Sequence, residues 1–400
     1  IGGATTSPAH TAVKIDPTYN GPVVYVKDAS RSVGVVQKLV SEEDGASFVA
    51  EVKRLHAQKR DLHRRPKVKG PAMPLATARE NRFRDEWTGY RAPQPVQPEV
   101  QIFADYPLEE LVDYIDWMPF FNAWEFSGRF PDILEDEEKG EAASQLFADA
   151  RSMLETIIGE RWLQAKAVTG LFPAAADGDD VVIYTDETRT RERTRLHFLR
   201  EQRAKAGNRP SLSLADFIAP VDSGSDDWIG AFAVTSGLGI EKHVERLEAE
   251  HDVYHAIVLK ALADRLAEAF AERMHARVRR EFWGYAPDES LDNDALISEA
   301  YRGIRPAPGY PACPDHLQKR TLWQLLDVES ATGMKLTESC AMWPAASVSG
   351  FYFAHPAARY FSVGKIGRDQ VEDYASRCGL TVAEVERWLG PILGYSRDAA

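Results

Sequence analysis

The sequence contains no run of about 18 apolar residues, so no segment reads as a membrane-spanning helix. It also lacks the charged, apolar and small-residue segments of a secretory leader, so a cytoplasmic location is expected. Cysteine is scarce: Cys313, Cys340 and Cys378 are odd in number, widely spaced and outside any CxxC pattern. That excludes a disulfide framework and a zinc knuckle and leaves reduced thiols in or near a core. Basic charge is in deficit, with a formal net charge of -13 and a pI near 5.4, which argues against a nucleic-acid or anionic-membrane binder. No repeat of fixed period occurs, and no strand leads into a GxGxG loop, the usual mark of doubly wound methyltransferases.

What remains is an ordinary globular composition with length for two or three domains. The opening IGGATTSPAH reads as a strand end, a Gly loop and a helix start, GPVVYVKDAS (21–30) as a strand, and the stretch to about residue 64 as helical. A lone strand-loop-helix cannot bury its own faces, so residues 1–60 are expected to close an α/β, Rossmann-like domain whose earlier strands lie upstream. Residues 61–98, with RRPKVKGPAMP and RAPQPVQP, have the composition of a linker.

Residues 99–400 mix elements without βα alternation, which predicts an α+β domain with a mixed or antiparallel sheet and flanking helices. Helices are predicted at 107–116, 137–158, 189–206, 240–281 and 291–301, and strands at 167–172, 181–187, 229–237, 346–354 and 358–366. A helix over RDQVEDYASRC should end at Gly379, and TVAEVERWLG has a Thr381/Glu384 capping box.

The densest signal is RPAPGYPACPDH, Arg305 to His316, with four prolines and a glycine in twelve residues. It can be neither helix nor central strand, and it holds its carbonyls and amides in fixed directions. Composition alone favours a rigid turn that packs against the core, since proline-rich loops are common. That segment, with GMKLTESCAMWPAASVSGFYFAHP, RDQVEDYASRCGLTVAEVERWLGPILGY, YIDWMPFFNAWEFSGRFP and LADFIAP, resembles the reactivation domain of cobalamin-dependent methionine synthases across residues 100–400. IGGATTSPAHTAVKI and VYVKDASRSVGVV resemble the end of the same family's cobalamin-binding domain.

The resemblance implies that S-adenosylmethionine is bound and donates its methyl group to reduced cobalamin, rescuing enzyme oxidised to cob(II)alamin. An electron from flavodoxin or an equivalent flavoprotein accompanies the step, and the cobalamin domain is the docking partner. It places Arg305 as clamp for the ligand carboxylate, Asp116 at its polar end, and Ala307, Gly309 and Tyr310 along the adenosine, with Tyr360 and Phe361 contributing from one strand. Glu268 is a candidate near the sulfonium, with a solvated helix face as its plain alternative. Tyr310 is implied to face the cobalt, and Asp264 and Arg265 to receive the histidine that leaves it.

Gly2, Gly3, Thr5 and Ala29 would approach the corrin by backbone. The DxHxxG motif that carries the family's cobalt-ligating histidine is absent, so stable cobalamin binding by these residues alone is not expected. Zinc belongs to a module of the full enzyme that these residues lack. No general base, nucleophile or metal site is expected, since the cobalt is the nucleophile. A monomer is expected. HDVYH (251–255) has the i, i+4 spacing of a zinc helix but lacks the Glu base and a third ligand, and EDEEKGE reads as a solvated helix start. Two other classes stay open: a silent S-adenosylmethionine-sensing module of a corrinoid protein, and a methyltransferase acting on a small acceptor.

Overall fold

The computed structural model describes residues 8–26, 32–41, 45–64, 73–85, 87, 90–205, 207 and 209–396, and the chain divides into two compact units, Ile1–Pro71 and Ala72–Ala400. In the first, α1 (Pro8–His10) runs into a wide turn at Thr11–Ile15, followed by α2 (Ser32–Val40) and α3 (Gly45–Arg64). The α3 helix is tied back by Arg60 and His56 onto Asp16. Burial opposes the charge on Asp16, but these two partners outweigh it and hold the carboxyl below its usual range. Residues 22–26 are irregular, so the predicted strand at 21–30 is not formed over them; 27–30 lie outside the described residues.

The second unit is built on a six-stranded antiparallel sheet. Its strands are β1 (Gln101–Tyr106), β2 (Gln164–Asp177), β3 (Asp180–Tyr184), β4 (Glu192–His197), β5 (Asp227–Leu238) and β8 (Ser347–Tyr352); β6 (Lys335–Leu336) and β7 (Met342–Trp343) form a separate hairpin. The order is β4-β3-β2-β5-β8, with β1 also on β2. Both faces are covered, which is why β2 and β5 read as near-continuous apolar runs. Along β5, Trp228, Phe232 and Val234 face one core while Ile229, Ala231 and Ala233 face the other, the two-residue period of a strand.

Helices α4 (Leu75–Glu80), α5 (Met118–Ala123), α6 (Gly140–Gly159), α7 (Ile240–Ala249), α8 (Val253–Arg277) and α9 (Asn293–Ile297) precede α10 (Gln318–Leu326), α11 (Val328–Thr332), α12 (Arg368–Cys378) and α13 (Val382–Trp388). α5 to α8 pack on one face, and α10 and α11 on the other. α8 is buried on nearly every side, as its alanine-rich, weakly sided sequence allows.

Residues 73–98, a linker by composition, run over the second unit: Arg79 pairs with Asp179 and Asp373, and Trp283 Nε1 donates to the Pro93 carbonyl (2.7 Å). Gly379 caps α12 in the left-handed region (φ 66°), and the Thr381/Glu384 capping box is formed. The three thiols are free.

Five predicted elements of this unit differ from expectation. The predicted helix 189–206 is β4 followed by irregular chain, because pairing with β3 and the ion pairs of Arg195 with Glu192 and Asp177 override the helix-forming Arg, Glu and Leu content. The predicted helix 240–281 breaks at residues 250–252, where His251 takes φ 61° and Asp252 caps α8 by accepting from the His255 amide (3.1 Å). His251 therefore precedes the helix, and HDVYH is a capping sequence. Residues 107–116 form a 3-10 turn (Leu108–Tyr114), and only Asn293–Ile297 of 291–301 is helical. The predicted strand 358–366 is irregular, because the edge of β8 it would need is already taken by residues 304–306.

Candidate ligand cleft

The proline-rich segment is laid along that edge. Ile304 and Phe353 exchange both backbone hydrogen bonds at 3.0 Å, and the Phe351 amide donates to the Pro306 carbonyl at 3.0 Å. Prolines suit an outermost position because they have no N–H to leave unpaired. The chain then folds on itself: Gly309 N–H donates to the Cys313 carbonyl (2.7 Å), Tyr310 N–H to Ala307 (3.2 Å) and Cys313 N–H to Tyr310 (2.9 Å). Gly309 has φ +99°, and a Cβ there would strike the His316 ring. With the amides of Gly309 and Tyr310 used internally, this loop offers a ligand chiefly its carbonyls and the Tyr310 ring, which is 60% exposed.

Beside the loop, α8 turns one row of side chains outward at the spacing of successive helical turns: Arg265, Glu268, Ala269 and Glu272. Facing them are Tyr114 and Asp116 from the turn before α5, Pro119 from its first turn, and Asn293, Leu296, Ile297, Glu299 and Arg305. Together they line a cleft of 360 Å³. One Asp116 oxygen accepts from the Met118 amide (3.0 Å), which fixes the side chain at the rim. Asn293 Nδ2 donates to the Ile115 carbonyl (3.0 Å), joining the two walls.

Arg305 forms the floor. Its Nη2 pairs with Glu272 Oε2 (2.7 Å), its Nη1 donates to the Tyr301 hydroxyl (2.6 Å) and lies 3.4 Å from His275 Nδ1, and its amide donates to the Tyr360 hydroxyl (3.0 Å). Burial works against the guanidinium charge, but Glu272 outweighs it and the pKa is raised. Burial pushes the Glu272 carboxyl up, with Arg305 and Arg279 opposing. His275 is wholly buried and held neutral: desolvation and then the two arginines push its pKa well down. The cleft thus carries the carboxylates Asp116, Glu268, Glu272 and Glu299 against two guanidiniums, Arg265 and Arg305. Such a lining suits a ligand with more cationic than anionic groups.

Asp116, Glu268 and Arg305 therefore meet in one cleft, although 189 positions separate the first from the last. Tyr310 lies near enough for Glu268 and Arg265 to bear on its hydroxyl, whose pKa is raised first by burial. Tyr360 and Phe361 diverge, and they do so from an irregular segment instead of a strand: Tyr360 meets Arg305, while Phe361 packs on Phe217 (6.4 Å between ring centroids). Arg265 lines the cleft and Asp264 does not. Gly2, Gly3, Thr5 and Ala29 lie outside the described residues. Glu272, Glu299, Tyr301 and His275 were missed. Glu272 was within reach of sequence reasoning, since it falls one turn after Glu268 on the same face.

The family described as "Vitamin B12 dependent methionine synthase, activation domain" matches residues 107–379. A solved structure described as "Crystal Structure of the MetH Reactivation Domain bound to AdoHcy" is similar to this chain with a TM-score of 0.80 and 55% sequence identity, covering 82% of this chain and 100% of that one.

Proposed function

This chain belongs to the vitamin B12-dependent methionine synthase activation-domain family, and on that premise we propose that its cleft binds S-adenosylmethionine and presents the methyl group for reductive methylation of cobalamin, sustaining methionine biosynthesis. The observation that carries the reading is the convergence of Asp116, Glu268 and Arg305 in a cleft whose carboxylates outnumber its guanidiniums. S-adenosylmethionine has two cationic groups, a sulfonium and an α-ammonium, and one carboxylate. S-adenosylhomocysteine, held by the related domain, lacks only the methyl and its charge.

In this reading Arg305 takes the carboxylate, Asp116 and Glu268 the ammonium and sulfonium, and Ala307, Gly309, Tyr310, Tyr360 and Phe361 surround the adenosine. Gly2, Gly3, Thr5 and Ala29 approach cobalamin. Cobalamin, when bound, supplies the reduced cobalt that accepts the methyl group. These residues bind and orient; no base or nucleophile among them is required. The cobalamin-binding domain and a flavodoxin-like reductant are the partners, in a cytoplasmic monomer. Among the described residues no helix is long and apolar enough to cross a membrane.

The test is calorimetric titration with S-adenosylmethionine and with its decarboxylated analogue, for wild type and Arg305→Ala. Loss of a hydrogen bond to a charged group predicts weakening of the carboxylate ligand by about 1.5–3 kcal/mol, roughly 10- to 150-fold, with little change for the analogue. Equal loss of both would remove Arg305 from this role. Binding without methyl transfer to added reduced cobalamin would make the chain a ligand sensor instead.

A further inference from the structure

The ion pair beneath the cleft is oddly incomplete. Glu272 is 8% exposed and gives only Oε2 to Arg305 (2.7 Å). Its Oε1 is buried with no hydrogen-bond partner among the described residues and lies 3.8 Å from Arg279 Nη1, which is likewise buried and without one among them. The other Arg279 nitrogens are held by Glu289 at 2.7–3.0 Å, and its guanidinium stacks on Tyr301 (4.1 Å to the ring centroid). His275 Nε2 and the Tyr352 hydroxyl, on rings stacked 5.1 Å apart, are two further buried polar atoms without hydrogen-bond partners among the described residues. Leaving such groups unpaired is unfavourable, and a purely structural ion pair gains by using both carboxylate oxygens. Here Glu272 lies between two guanidiniums and bonds only the one that faces the cleft.

We propose that Glu272 is a resident competitor for Arg305: it occupies on the guanidinium the place that an amino-acid carboxylate takes, and its displacement toward Arg279 sets how tightly that end of the ligand is held. Glu272 is then a positioning residue acting through Arg305. The inference rests on the reading of Arg305 as the carboxylate clamp.

A ratio of affinities isolates it. S-adenosylmethionine and its decarboxylated analogue are titrated into the full chain for wild type and Glu272→Gln, with thermal melts alongside. Removing the competitor should raise the preference for the carboxylate ligand by about tenfold or more, the scale of one charge-assisted hydrogen bond. A structural role alone would weaken both ligands equally, and a ratio within twofold of wild type overturns the proposal. Should Glu272→Gln fail to fold, Glu272→Asp keeps the charge, withdraws it by one methylene, and should shift the ratio the same way. A ratio near one in both wild type and Glu272→Gln would overturn the clamp itself. A ratio well above one in wild type that Glu272→Gln leaves unchanged would overturn only the competitor.

Discussion

Replacing Gly309 with alanine should damage stability and ligand binding together, and the size of each cause can be separated. Gly309 has φ +99°, where an L side chain is strained by about 1–2 kcal/mol. An alanine Cβ there would also lie 2.7 Å from His316 Nδ1 and closer still to its Cε1, an overpacking worth about 1–3 kcal/mol. His316 has little room to retreat, since Lys319 Nζ is 3.4 Å from its Nδ1 and is itself buried against the Cys340 carbonyl. The total expected for Gly309→Ala is about 2–5 kcal/mol. Gly178 is the control: it has φ +65° but nothing within 4 Å of the place a Cβ would take, so Gly178→Ala should cost only the backbone part, about 1 kcal/mol. Denaturant unfolding of both variants, with Gly309→Ala/His316→Ala completing a double-mutant cycle, reads the difference. Coupling of about 1–3 kcal/mol between the two sites is expected, with weaker S-adenosylmethionine binding in Gly309→Ala that the second substitution partly restores. If Gly309→Ala costs no more than Gly178→Ala, or the cycle shows no coupling, the loop is not held by this contact and the reasoning fails.

Asp216 and Asp179 flank the fully buried Arg200 at 2.7 and 2.6 Å, so Asp216→Ala should cost about 3–5 kcal/mol in equilibrium unfolding by leaving that charge half-paired. Asp227 accepts from the Ala219 and Trp228 amides, yet burial pushes its carboxyl up to about 7. A carboxyl raised on folding contributes stability that is full below about pH 4 and is lost as pH rises toward 7, so thermal midpoints from about pH 4.5 to 7.5 should fall by less in Asp227→Asn than in wild type. Thr381→Ala removes the α13 cap and should cost about 1 kcal/mol by chemical unfolding; a change below about 0.3 kcal/mol, roughly the measurement error, would mean that the box is not supporting the helix.

Sequence pattern carried much of the architecture where one local rule governed the element. β3 is visible as a β-branched run and β2, β5 and β8 as stretches of small, aliphatic and aromatic residues, α6 from its apolar spacing, and the ends of α12 and α13 from Gly379 and the Thr381/Glu384 pair. Misreadings fell where long-range pairing decides. RERTRLHFLREQR has the composition of a helix and becomes a strand because β3 offers it a ladder. ARYFSV has the composition of a strand and stays irregular because the edge it would join is filled by residues 304–306, more than fifty positions earlier. No local window contains that competition.

The same distinction explains why the cleft could be named before it could be described. Arg305 was conspicuous because Pro306 and the residues after it make an unusual sequence, and Asp116 because it lies in a stretch shared with a family. Glu272 is one of several charged residues on the weakly sided α8, and only its placement between Arg305 and Arg279 singles it out. A guanidinium chosen to bind a carboxylate is, in a protein interior, a charge that must be compensated before the ligand arrives. A residue that compensates it through the N–H groups the ligand needs competes with the ligand, so a sequence that displays a buried guanidinium directs the search to its counter-ion. Here the helical period restricts the search to one face of α8, where Glu268 reaches the cleft and Glu272 pairs with Arg305.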